Sequence, residues 1–116
     1  MAGPSIITLF RSEDSTIDIK IQQRRAARIA PANLSGTTVR LKMRAYPLTS
    51  AAVLYISDGA IVHGCHFDVI ALGVARLTIP VDFWALTPAS RFSIEVWIET
   101  PTATQRVGLA LIDVTG

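Results

Sequence analysis

The residues with the most chemical potential sit together at His63-Gly64-Cys65-His66. Two imidazoles and a thiol within four residues raise two possibilities, a zinc centre and a cysteine nucleophile activated by a histidine base. In an extended strand His63 and Cys65 face one way and His66 the other. A structural zinc site takes four ligands, and the chain has only one Cys and two His, so carboxylates would have to complete it. The pattern therefore predicts a strand start with an exposed or satisfied imidazole. No Gly-x-Ser-x-Gly, His-Glu-x-x-His or phosphate-cradling glycine loop is present. The expectation is a non-enzyme with no metal and no cofactor.

Two further features suit recognition better than catalysis. Arg24, Arg25 and Arg28 form a basic stretch after Gln22-Gln23. On a loop they would meet solvent, an acidic protein surface or phosphates. Nucleic acid is disfavoured, because no aromatic for base stacking lies between Phe10 and Tyr46. Trp97 falls on the polar side of an alternating segment, between Glu95 and Glu99. An outward Trp calls for a cover: a second layer, a neighbouring subunit or a sugar ring. Phe83 and Trp84 lie in a short apolar turn and read as core plugs.

The elements that must hold these residues have a period of two. Ile17, Ile19 and Ile21 alternate with polar residues, as do Val39, Leu41 and Met43, and Phe92, Ile94, Val96 and Ile98. Weaker strands read at 5–10, 52–57, 60–62, 65–71, 74–79 and 106–114. Asp58-Gly59 reads as a hairpin turn and Gly108 as a bulge. Asp82-Phe-Trp-Ala-Leu suits one helical turn with Asp82 as N-cap. Residues 22–30 read as a loop with at most one turn of helix. Short strands with turn chemistry between them indicate an all-β protein, a single β-sandwich, Ig-like or jelly-roll-like, of seven or eight antiparallel strands. Residues 1–13 read as an N-terminal arm and 14–116 as the sandwich. In the arm, Ile6, Ile7, Leu9 and Phe10 are interface candidates.

Composition sets the outer limits. The chain has 116 residues, half of them apolar and 17% charged, with a mean hydropathy of +0.41. That excludes a disordered chain and suggests that a partner covers some apolar surface. Residues 1–44 carry eight basic and three acidic groups, a charge of +5, whereas residues 45–116 carry three and six, a charge of −3. A lone Cys65 rules out an internal disulfide. The start lacks a signal-peptide pattern, and the apolar stretch 60–86 is broken by charges, so no transmembrane helix and no membrane partner are expected. A protein kept in the cytoplasm, or assembled there into something larger, is the expectation.

The order of segments resembles the N-terminal β-sandwich domain of bacteriophage baseplate upper proteins and its stand-alone phage relatives. The likeness rests on Asp14-Ser-Thr-Ile-Asp-Ile-Lys-Ile, on Leu34-Ser-Gly-Thr-Thr-Val-Arg-Leu-Lys-Met-Arg, on Gly73-Val-Ala-Arg-Leu-Thr-Ile-Pro, on Arg91-Phe-Ser-Ile-Glu-Val-Trp-Ile and on Gly108-Leu-Ala-Leu-Ile-Asp-Val-Thr. It departs where Asp14-Ser15 stands for a frequent Gly-Asp, and where a Tyr near Phe92 is absent. The resemblance implies a virion structural protein assembled in the host cytoplasm, with no catalytic residues. A capsid decoration (cement) protein leads, a homo-oligomer bound to the major capsid protein. A tail or baseplate accessory, bound to tail or baseplate subunits, is the near alternative. A carbohydrate-binding module for a host surface, using Trp97, is the alternative from another class, and a nucleic-acid sandwich using the Arg loop the third.

Overall fold

The computed structural model describes residues 5–25, 28–34, 36–45, 52–87 and 89–116; the side chains at 5, 23–25, 28, 30, 108 and 109 lie outside the description. Alternation of apolar and polar residues dictates strands almost throughout. In chain order these are β1 (Ser5–Phe10), β2 (Ser15–Lys20), β3 (Gln22–Arg25), β4 (Arg28–Pro31), β5 (Thr38–Ala45), β6 (Ala52–Ser57), β7 (Ala60–Val62), β8 (Cys65–Ala71), β9 (Val74–Ile79), β10 (Arg91–Glu99) and β11 (Thr104–Thr115). One sheet has the order β1-β11-β10-β5-β6 and the other β2-β9-β8-β7, while β3 and β4 form a separate ribbon.

The inner faces of the two sheets meet in one core. Leu41, Met43, Phe92, Ile94 and Ile112 come from the larger sheet, and Ile17, Phe67, Leu77 and Ile79 from the smaller, all with 4% exposure or less. The strand order decides between the two expected architectures. With β2, β9 and β8 in one sheet and β5, β10 and β11 in the other, the arrangement is that of an immunoglobulin-type sandwich, not a jelly roll. The cystine and strand tryptophan common in antibody domains are replaced by other packing. Trp84, from the 3-10 segment Val81–Leu86, lies 5.4 Å from the Phe83 ring and 5.7 Å from the Phe92 ring. Phe83 and Trp84 are the core plugs the sequence indicates.

Five sequence expectations change. Among the described residues there are eleven strands rather than seven or eight antiparallel ones, and β1 runs parallel to β11. Of the arm read at 1–13, the described residues do not stand apart from the sandwich. From Ser5 onward it is an edge strand, because its register sets Ile7 beside Ile112 and Leu9 beside Val114, and Leu9 completes the core at 8% exposure. The stretch 22–30 is a β-ribbon rather than a loop. Its stem is held by Ala32 N–H donating to the Ile21 carbonyl at 2.9 Å, and this outweighs a weak local strand preference. Asp58-Gly59 is no hairpin turn, since β6 and β7 belong to different sheets; Asp58 bonds Val39 through its backbone N–H and its carboxylate as the chain crosses over. Asp82 does not cap the 3-10 segment. Pro80 is the N-cap residue, and Asp14 accepts the Val81 N–H at 2.7 Å. The bulge foreseen at Gly108 does occur, as a register shift opposite Val96 and Trp97.

Candidate functional site

His63 and Gly64 are the two loop residues of the β7–β8 hairpin, with φ of +50° and +80°. Positive φ at both central residues is what a type I′ turn requires. The turn separates the chemistry-bearing side chains. Cys65 points into the core with no exposure, while His63 and His66 are exposed. Burial pushes the Cys65 thiol up to about 11, so it is protonated at neutral pH. The arrangement supplies neither a converged ligand set nor an activated thiolate, and no group of three or more His, Cys, Asp or Glu suited to a metal occurs among the described residues.

The outward face of the five-stranded sheet carries Trp97. Its direct neighbours across the strands are Arg40 on β5 and Arg106 on β11. Trp97 is half-buried and walls a shallow concavity of about 210 Å³ with Lys42, Tyr55, Glu99 and Thr104. Tyr55 is the residue that sequence reasoning missed. The alternation of Leu54 and Ile56 inward with Val53 and Tyr55 outward could have placed it there. Arg40 donates to the Tyr55 hydroxyl at 3.2 Å and pairs with Glu99 at 3.3 Å, and the Lys42 ammonium lies 5.4 Å from the Tyr55 ring. The Tyr55 hydroxyl and Glu99 together hold the Arg40 guanidinium above its ordinary value. The basic strand β5 of the first half therefore lies against the acidic strand β10 of the second, and much of the charge asymmetry along the chain cancels on this face.

The edges of the two sheets differ in kind. Strands β1 (SIITLF) and β6 (AVLYIS), the edges of the larger sheet, hold no charged residue. In the smaller sheet β2 carries Asp18 and Lys20, and β7 is three residues long. Natural sheets blunt their edges with charge, proline or shortness, and an apolar, uncharged edge is a template for pairing. On β1 the outward residues Ile6 and Phe10 are 57% and 48% exposed, whereas Ile7 is half-buried and Leu9 belongs to the core. Of the four interface candidates on this segment, Ile6 and Phe10 are available to a partner and Leu9 is not.

Arg24 and Arg25 lie on β3 and Arg28 on β4; their side chains fall outside the described residues. The ribbon is anchored at its base. Ile21 N–H donates to the Gly73 carbonyl at 2.7 Å, and Gly73 itself has φ of +68°. A Cβ at Gly73 would stand 2.7 Å from the Ile21 carbonyl oxygen and 2.8 Å from Pro31 Cβ, so only glycine fits the turn beneath the ribbon. No sequence signal linked residue 73 to the arginines, because the contact joins segments about fifty positions apart.

No protein-family model and no curated protein matches the chain. Its fold is similar to that of a chain in the crystal structure of the ZIG-8–RIG-5 IG1–IG1 heterodimer, with a TM-score of 0.59 over 98% of this chain and 84% of that one, at 5% identity. The likeness is one of fold: an immunoglobulin-type β-sandwich.

Proposed function

We propose that the chain is a non-enzymatic contact module that self-associates through the uncharged edge strand β1 and the adjoining outward face. Its setting would be a virion, where it decorates the capsid, with a tail or baseplate accessory as the neighbouring assignment. The observation that carries the contact role is the β1 edge, six residues without charge or proline, with Ile6 and Phe10 exposed along it. Strand addition at such an edge supplies main-chain hydrogen bonds, and alternate side chains supply selectivity. Many weak contacts of this kind become strong in a repeating lattice. The virion setting rests on the phage-like segment order; the solved neighbour, itself a pair of Ig domains, fits a contact role.

Light scattering over a concentration series is the test. The wild-type chain should gain mass with concentration, and Ile6→Lys with Phe10→Lys should stay monomeric with its Tm held, because both side chains are exposed. Equal masses for the two proteins would refute the role of β1. The presence of both Tyr55 and Trp97 in one concavity favours a second reading, carbohydrate binding, since two aromatics flanked by Lys42 and Glu99 make a fuller sugar platform than one Trp. Glycan-array binding that disappears in Trp97→Ala would establish it, and a blank array would remove it.

A further inference from the structure

We propose that the open flank of the sandwich, between β2 of the smaller sheet and β1 with β11 of the larger, binds the alkyl chain of a fatty acid, with Lys20 holding the carboxylate. This site lies between the sheets, apart from the outward residues of the β1 edge. No ladder closes the flank, because β2 and its facing strands belong to different sheets. Ile7, Ile19, Ile98 and Val107 pack against the core there yet remain half-buried. Small residues widen the gap, since the β11 positions opposite Ile94 and Val96 are Ala110 and Gly108. One concavity of about 120 Å³ is lined by aliphatic residues of four strands, Ile7, Ile19, Val96 and Ala110 among them, with Lys20 as its sole charged residue. A second, of about 420 Å³, continues along the same strands at Ile21, Ile98 and Val107 and is rimmed by the uncharged Gln22 and Gln105.

Shape and charge identify the occupant. From Ile17 to Gln22 the flank runs along about 17 Å of strand. Its first concavity is smaller than the roughly 300–1,000 Å³ that drug-sized ligands fill, so a linear chain fits where a ring system does not. The lining there offers no hydrogen-bonding side chain except Lys20, so the body of the ligand must be apolar. Lys20 is exposed, and no carboxylate pairs with it among the described residues. Asp18 on the same strand is held by Arg76 through two bonds, Asp113 on β11 is held likewise by Arg91, and β1 has no charged residue. The flexible Lys20 stem can carry its ammonium over the edge of β2 to the mouth of the gap, where a carboxylate gains a charge-assisted hydrogen bond. An inserted protein strand fits less well. Its amides need a ladder partner, and β1 already occupies the edge of β11 from Ala110 onward.

Titration of dodecanoate into the full chain, below its micelle concentration and followed by calorimetry and methyl NMR, tests this. The expected result is saturable binding of one dodecanoate per chain, with shifts centred on the methyls of Ile7, Ile19, Ile98 and Val107. Dodecanol should bind about threefold more weakly, and Lys20→Ala should weaken dodecanoate by a similar factor while leaving dodecanol unchanged. Ala110→Leu fills the gap and should cut binding about tenfold, with an unchanged Tm to verify its fold; the wild-type methyl shifts carry the test should that variant unfold. Ile6→Lys with Phe10→Lys, which alters outward positions, should bind dodecanoate as the wild type does. No saturable binding, shifts centred on Ile6 or Leu72, equal binding of dodecanol and dodecanoate, or full binding by a folded Ala110→Leu chain would each overturn the proposal.

Discussion

The two sheets share one core and one style of internal bracing, yet they end differently. Each sheet has a two-point Arg–Asp pair directly across neighbouring strands, Asp18 with Arg76 in the smaller and Asp113 with Arg91 in the larger. Each contributes fully buried residues to the interior. Only the smaller sheet closes itself off, with charge on β2 and brevity at β7. The larger sheet leaves β1 and β6 uncharged. Buried core residues and Arg–Asp bracing thus occur in both sheets, while the long uncharged edges belong to one.

The largest expected effect tests that sharing. Leu41→Ala in the larger sheet and Leu77→Ala in the smaller, both without exposure, should each cost about 2–5 kcal/mol in urea unfolding. Costs that differed by more than that range would break the picture of a common core. Gly73→Ala comes next. It adds a Cβ to a left-handed backbone already in contact with Ile21 and Pro31, and should cost about 1–3 kcal/mol, with NMR shift changes centred on β3–β4. Gly59→Ala is the control, with φ of +80° but nothing within 4 Å of the new Cβ, and should cost about 1 kcal/mol. Equal costs would show that the ribbon is not clamped at residue 73.

The smallest effect is on pH dependence. The Arg76 guanidinium holds the Asp18 carboxyl below its ordinary value, and Arg91 does the same for Asp113. A carboxyl depressed in the folded state stabilises fully above its unfolded value, about pH 4, and loses that contribution as pH falls through its folded value. Tm should therefore decline slightly on acidification below about pH 4, and Asp18→Asn and Asp113→Asn should each flatten the decline by a similar small amount. A flattening confined to one variant would show that the bracing is not shared.

Much of the sandwich was legible because burial on one face imposes a period of two. The inward residues Val39, Leu41, Met43, Phe92, Ile94 and Val96 are buried as read, but Ser93, which alternation turns outward, is buried as well. What escaped depends on contacts between distant segments. The parallel pairing of β1 with β11 joins residues about a hundred positions apart, and its uncharged composition reads equally as a free arm or an edge strand. The β3–β4 ribbon has little strand propensity and takes its place from Ile21, Ala32 and Gly73. Trp97 was visible as an outward aromatic, but Tyr55 became its neighbour only through the β5–β6 pairing. The basic character of 24–28 was plain from composition, whereas the exposed Val69–Leu72 run reads as ordinary core strand until the register shift turns it outward.

Hydrogen–deuterium exchange at low and high protein concentration probes the central claim most directly, because it reads each edge separately. If the chain assembles through β1, the peptide covering Ser5–Phe10 gains protection as concentration rises, while peptides covering the β2 and β7 edges do not change. Protection that rises at β2 or β7 instead, or mass that grows while β1 exchanges as fast as before, would contradict it.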